Sequence, residues 1–282
     1  MKSALALLAG ALFLAFPSIA QQIERSPQTI TWVVIDLPPF SIIDGPLTGS
    51  GITQKIVGLF KSRLPDYIHV DLEAPIGRRE SLAERGENVC SGSVINTPER
   101  QARWVFSKDI FPFLPPRLFV QPGIDLKGLA QISPREINRF DLIAVENHRS
   151  QGPAIDALIA TIAEDHKTPV PNINTALAMF RSHRVDGFFG FSHEVAYLAR
   201  DQGDFSYNSL PVRGAVPIAG GLACAKSDWG RATIDRIDRL VDEQVIRQAS
   251  DFYLEWIDGQ GRADYKTALA DFLAAHGATP MR

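Results

Sequence analysis

Strand-like and helix-like stretches alternate along nearly the whole chain, and this alternation constrains the fold more than any single motif. "TITWVVID" (Thr29 to Asp36) is an apolar, β-branched run closed by the stiff turn "LPPF". In "GSGITQKIVGLFKSRLPD", Ile52, Ile56, Leu59 and Phe60 fall at helical spacing, and Pro65 ends the run. "IHVDLEA" reads as a second strand, "RRESLAERG" as a short helix stopped by Gly86, and "NVCSGSVI" as a third strand. Thr97 followed by Pro98 predicts a capped helix start. "PRLFVQPG" then reads as a strand leaving this unit. A second series follows: strand "FDLIAVE", helix "GPAIDALIATIAED", helix "NTALAMFRSHR", strand "VDGFFGF", helix "SHEVAYLARD". Strand "GGLACAKS" and the helical stretches "ATIDRIDRLVDEQVIRQASDFYLEWI" and "YKTALADFLAAH" finish the chain. The pattern predicts an α/β protein of two lobes with a parallel or mixed sheet in each, and a boundary near Val120 to Gly123.

The first residues bear on compartment. "MKSALALLAGALFLAFPSIAQQ" has a positive start at Lys2, an apolar core from Ala4 to Phe16, and the small-x-small ending Ser18-Ile19-Ala20. The core is too short for a retained membrane span, so residues 1–20 are expected to be a cleaved secretory signal, with the mature chain exported, most simply to a bacterial periplasm. The composition, 45% hydrophobic and 22% charged, suits a globular protein with a substantial core. The net charge of −3 becomes −4 when Lys2 leaves with the signal, which argues against nucleic acid as the main partner. Cys90 and Cys224 are the only cysteines, and in an exported chain an even count favours a disulfide over two buried thiols.

Arg100 stands out on electrostatic grounds. In the first turn of a helix begun at Thr97-Pro98, a cation opposes the macrodipole at a cost of some tenths of a kcal/mol up to about 1. A guanidinium there can instead join the helix end, and backbone N–H groups near Ser93 and Ile95, in holding an anion through parallel charge-assisted hydrogen bonds. The competing reading is a surface arginine paired with Glu99 or Asp109, worth little.

The order of the pieces "IDLPPFSIIDGPLTGSGI", "NTPERQARWVFSKDIFPFLPPRLFV", "FDLIAVENHRSQGPAID", "SHRVDGFFGFSHEVA" and "GGLACAKSDWGRATIDRIDRLV" resembles the family 3 extracellular solute-binding proteins, the polar-amino-acid type of periplasmic binding protein. "TPER" followed by "FS" is the most family-specific part. The resemblance implies a type 2, two-lobed fold in which two mixed α/β sheets are joined by two hinge strands. Lobe 1 is then discontinuous, residues 21–121 plus 213–282, and lobe 2 is residues 122–212. It also implies that the strands carrying Cys90 and Cys224 are neighbours.

The same resemblance implies the site. Arg100 matches the arginine that receives the ligand's carboxylate, and Leu37 and Phe40 match positions that wall the cleft, with Phe40 as plain core a close second reading. Ser150, Gln151 and Gly152 match the loop that closes over the ligand. Arg149 stands where the family usually has a small residue; facing the cleft, it suggests a ligand with more than one negative charge, and otherwise it is a solvated loop residue. Arg78 and Arg79, near the end of the second strand, could also reach the cleft, but as adjacent arginines they read more readily as a solvated face. Phe191 falls where amino-acid binders usually place an acid for the ammonium, which puts a standard α-amino acid in doubt unless Glu194 takes that role. His193 is expected to be an exposed helix-start residue.

The expected function is therefore capture of a small anionic or zwitterionic solute by a monomer that a membrane permease or a sensor receptor reads, without cofactor. The alternative is a periplasmic enzyme on the same fold, such as a cyclohexadienyl-dehydratase-like lyase, for which Glu73, His148 and Glu194 are the acid–base candidates. The histidines show no metal-ligand spacing, and there is no G-x-S-x-G elbow or P-loop.

Overall fold

A computed structural model describes residues 28–92, 94–147, 149–200, 206–257 and 259–276. The expected signal segment, Ser93 and His148 lie outside the described residues. The N-terminal half supplies β1 (Gln28–Val34), α1 (Ile52–Arg63), β2 (Tyr67–Glu73), α2 (Ile76–Glu84), β3 (Val89–Ser91), β4 (Trp104–Phe106) and β5 (Phe111–Phe113). The middle contains β6 (Arg117–Val120), β7 (Ile143–Glu146), α3 (Pro153–Ile159), β8 (Lys167–Val170), α4 (Ile173–Arg181), β9 (Gly187–Gly190), α5 (Ser192–Ala199) and β10 (Asn208–Pro211). The chain continues with β11 (Ile218–Gly220), β12 (Ala223–Ala225), α6 (Asp228–Leu240), α7 (Glu243–Leu254) and α8 (Gly259–Ala275).

Two five-stranded sheets result, ordered β2-β1-β3-β12-β4 and β10-β6-β9-β7-β8. Both are mixed. In the first, β1 runs parallel to β2 and β3 while β12 is antiparallel to β3 and β4; in the second, β7 is parallel to β8 and β9 while β6 is antiparallel to β9 and β10. Between them β5 and β11 form a short antiparallel pair. The chain passes from the first sheet to the second between Phe113 and Arg117 and returns between Pro211 and Ile218.

Burial follows periodicity. Ile52, Ile56 and Phe60 of α1 pack into one core on the first sheet, and Leu82 and Ala83 of α2 into another that contains Val33 and Trp104. The second sheet has its own clusters, around Phe140 and Phe189 and around Phe180 and Phe188. Apolar clusters of this kind are the main favourable term in folding. Cys90 and Cys224 face one another in the β3–β12 register and are disulfide-bonded, their Cα atoms 4.0 Å apart.

Two sequence expectations are corrected. The helix expected from Thr97 is one 3₁₀ turn, Arg100–Ala102; Thr97 Oγ1 accepts the Arg100 N–H at 3.3 Å, but the chain enters β4 before a second turn forms. The helical stretch expected from Ala232 to Ile257 is divided between α6 and α7. Asp242 accepts the Val245 N–H at 2.8 Å and caps a new helix.

Candidate functional site

A cavity of about 280 Å³ lies between the two sheets, walled by residues of both. Ligand pockets in α/β folds form outside the C-terminal ends of strands, and this one does so. Asp36 and Leu37 follow β1, Ile95 follows β3, and Glu146 ends β7. Of the expected site residues, Leu37, Phe40, Ile95, Arg100, Arg149, Ser150 and Phe191 line it. A larger crevice of about 550 Å³ behind the crossing segments, bordered by Arg117, Asp264 and Asp271, contains none of them.

The first wall is built by the "LPPF" turn. Leu37 and Ser41 exchange backbone hydrogen bonds at 3.1 and 2.9 Å, and the Pro38-Pro39 peptide bond is cis. This sets Phe40 against Phe113 and Phe191, with ring centroids 5.5 and 6.3 Å apart. The Phe40 carbonyl accepts the Thr53 N–H at 2.8 Å, so the turn sits directly on the start of α1. Gly51 makes this approach possible, because a Cβ there would lie 2.5 Å from Phe40 O.

Positive charge gathers on this side. Arg79 and Arg100 both line the cavity. Arg79 is 1% exposed, not the solvated residue expected; its helix position aligns it with the buried face of Leu82 and Ala83. It bonds Glu80 at 2.6 Å, and its guanidinium lies 5.9 Å from the Trp104 ring centroid. Burial disfavours the charge on Glu80, yet the Trp104 Nε1–H bond at 2.9 Å and Arg79 outweigh it and hold the carboxyl below its usual range. Arg100 Nη1 donates to the Ile95 carbonyl at 3.2 Å, and among the described residues Arg100 makes no ion pair with Glu99, Asp109 or any other carboxylate. Asp36 is the carboxylate of this wall, pushed up by burial and then by Asp44 and Glu73.

The opposite wall is the loop after β7. Arg149 faces the cavity, but its charge is already matched: Nη1 donates to Glu146 Oε2 at 3.0 Å and Nη2 to Glu194 Oε1. It therefore gives no reason to expect a multiply negative ligand, as the sequence had suggested. The Ser150 hydroxyl donates to Asp156 Oδ2 at 2.5 Å and the Gln151 N–H to Asp156 Oδ1 at 2.8 Å, so Asp156 in the first turn of α3 shapes this loop. Gln151 is buried away from the cavity, and Gly152, at φ 102°, faces Ile218. Asn172, which caps α4 by accepting the Thr175 N–H at 2.9 Å, completes the wall beside Asn174.

His193 is buried rather than exposed, 1% accessible, because the start of α5 is pressed against α7. Its ring meets Phe40 at 4.7 Å and Tyr253 at 5.1 Å, and its Nδ1 shares a 2.9 Å hydrogen bond with the Tyr253 hydroxyl. Burial and the nearby Arg149 hold its pKa at about 3, so the imidazole is neutral. Of the acid–base candidates, Glu73 borders a separate cavity with Trp32 and Lys61, and Glu194 is fully buried behind Arg149. Sequence reasoning missed Asp36 and Glu146 as cavity residues; both close an apolar strand at its C-terminal end, the signal that could have found them.

No protein-family model matches the chain, and no curated protein does. Solved structures do. An ancestral arginine-binding protein bound to glutamine is similar at 16% identity and a TM-score of 0.60, over 83% of this chain and 98% of that one. The BvgS periplasmic VFT2 domain of Bordetella pertussis matches at 13% identity and 0.64, over 82% and 94%. A periplasmic binding protein of Salmonella typhimurium, described for high arginine specificity, matches at 13% and 0.59, over 82% and 100%. The chain has the fold of these proteins, two-lobed α/β of the type 2 periplasmic-binding kind, as the sequence resemblance implied.

Proposed function

We propose that the chain is an exported, periplasmic solute-binding protein that captures one small carboxylate-bearing solute, anionic or zwitterionic, by closing two lobes over it. An import permease or a sensor receptor then reads the closed form. The crossings at residues 114–116 and 212–217 serve as the hinge, the first of them ahead of the boundary near Val120 to Gly123 expected from the sequence because β6 pairs within the second sheet, with the segments before the first and after the second forming one lobe and the segment between them the other. The protein acts as a monomer.

One observation carries the reading. Arg100 lines a cavity between the sheets, beside a second guanidinium, with a single backbone carbonyl as its side-chain partner among the described residues. A guanidinium in that position holds a carboxylate through two parallel charge-assisted hydrogen bonds. Loop groups from the opposite wall engage the same solute only when the lobes are closed, and this difference in affinity drives closure. The ligands named for the similar structures, glutamine and arginine, each carry a carboxylate, which supports that part of the reading.

The test is an NMR series in which the mature protein is incubated with small monocarboxylates, dicarboxylates and amino acids. One solute is expected to show saturation transfer from the protein and to remain chemically unchanged. Conversion of a bound solute to product would replace this reading with the lyase alternative. Absence of contact with every carboxylate tested would overturn it.

A further inference from the structure

Arg149 is held in an unusual way for a residue on a cavity wall. Two carboxylates grip its guanidinium, Glu146 from the end of β7 and Glu194 from the first turn of α5, and its centre lies 5.4 Å from the Phe191 ring centroid. The three charged side chains are 14%, 12% and 1% exposed. Glu194 Oε2 is buried with no hydrogen-bond partner among the described residues. An aromatic face flanked by carboxylates is what a site for a bound guanidinium or ammonium requires: the ring quadrupole attracts the cation, and the carboxylates match its charge and donors. Here the ring and one oxygen of each carboxylate are engaged by a side chain of the protein itself.

We propose that Arg149 is an internal cation filling the position a ligand's ammonium or guanidinium would take, so that the cleft accepts small organic acids lacking a strong cation and rejects basic and α-amino acids. This deepens the function proposed above and rests on it. A cationic ligand group would have to displace Arg149 and leave its charge buried without partners, which is costly. Burial alone would lower the Arg149 pKa; Glu194 and Glu146 more than offset it and keep the guanidinium charged. Asp36, on the facing wall, also borders the cavity; burial, the largest cause, raises its pKa and disfavours its charge, with Asp44 and Glu73 adding to the rise. Arg149 is thus a specificity-determining residue whose effect is exclusion.

Two measurements on the full mature chain test this. In the first, Arg149→Ala is melted with and without millimolar methylguanidinium. The free cation is expected to restore several degrees of melting temperature to the variant and to leave the wild type unmoved. The double variant Arg149→Ala/Glu194→Gln, which lacks one of the gripping charges, is expected to respond less. If methylguanidinium neither raises the melting temperature of Arg149→Ala nor lets it fold, the proposal is overturned. In the second, calorimetry compares glutarate with L-glutamate and succinate with L-aspartate on the wild type. The amine-free member is expected to bind at least about tenfold more tightly, and equal or tighter binding of the amino acid overturns the proposal. If no carboxylate binds, capture itself fails as a reading, while methylguanidinium rescue still decides the role of Arg149.

Discussion

His193 at the start of α5 and Tyr253 near the end of α7 share one buried hydrogen bond, 2.9 Å from imidazole Nδ1 to phenol oxygen. The same hydroxyl accepts the Leu114 N–H at 3.1 Å, at the start of the first crossing. A single oxygen therefore links α5, α7 and the segment that leaves β5 towards the second sheet. Tyr253→Phe strips a partner from the buried His193 imidazole and from the half-buried Leu114 N–H at once, and a buried polar group left without a partner costs about 1–3 kcal/mol. Urea unfolding should show a loss of this size with an unchanged m-value. A variant as stable as the wild type would place the bond outside the folding energetics.

The buried imidazole also sets a pH response. His193 is held near 3 when folded, against 6.5 for an unperturbed histidine, by burial first and Arg149 second. Between these values the unfolded chain binds a proton that the folded chain does not, so stability falls as pH drops. The loss is about 1.4 kcal/mol per pH unit within the window, absent above the unfolded pKa and complete below the folded one. Burial also raises the Glu194 pKa, in the opposite sense to His193, and the charge and hydrogen bond of Arg149 work against that rise. Comparing wild type with His193→Phe isolates the histidine: the wild-type advantage should shrink steadily as the pH is lowered from neutrality towards 4, the working range of the measurement. Parallel stability profiles would contradict the assignment of a neutral buried imidazole.

The Cys90–Cys224 bridge ties the returning strand β12 to β3 across a sequence separation of 134. Closing so long a loop restricts the unfolded chain, and its reduction should lower stability by about 2–5 kcal/mol. Denaturation with and without reductant checks this, with mass spectrometry to confirm the state of the thiols.

Gly51 lets the cavity wall and α1 approach one another. In Gly51→Ala the new methyl would meet Phe40 O at 2.5 Å and Ser41 Cα at 2.8 Å, both backbone atoms that cannot rotate away. The expected loss is about 1–3 kcal/mol, together with weaker solute binding, because Phe40 must shift. A stable variant with unchanged binding would show that the turn has slack the geometry does not suggest.

Much of this architecture can be read along the chain. The runs "TITWVVID" and "IHVDLEA" and the apolar stripe of α1 carry their own periodicity, and β1, β2 and α1 follow them. The short strands β5 and β11 do not, since three residues such as "FPF" cannot show an alternation. Leu37, Phe40, Ile95, Arg100, Arg149, Ser150 and Phe191 reach the cavity, but the balance of charge there was not legible. Arg149 meets Glu194 across 45 positions, through the pairing of β7 with β9, and His193 meets Tyr253 across 60, where α5 of the second sheet's half meets α7. Arg79 shows the other kind of failure. Two adjacent arginines look solvated until helical spacing separates them, leaving Arg78 exposed and Arg79 buried.

The most direct measurement is calorimetry of a small carboxylate panel on wild type and Arg100→Ala, with folding of the variant verified. If Arg100 anchors the solute, at least one member of the panel binds the wild type saturably. Loss of a charge-assisted pair worth about 1.5–3 kcal/mol then weakens that binding by about tenfold or more. Equal affinity for the two proteins, or no saturable binding of any carboxylate by the wild type, would contradict the role of Arg100 and with it the capture of a carboxylate in this cleft.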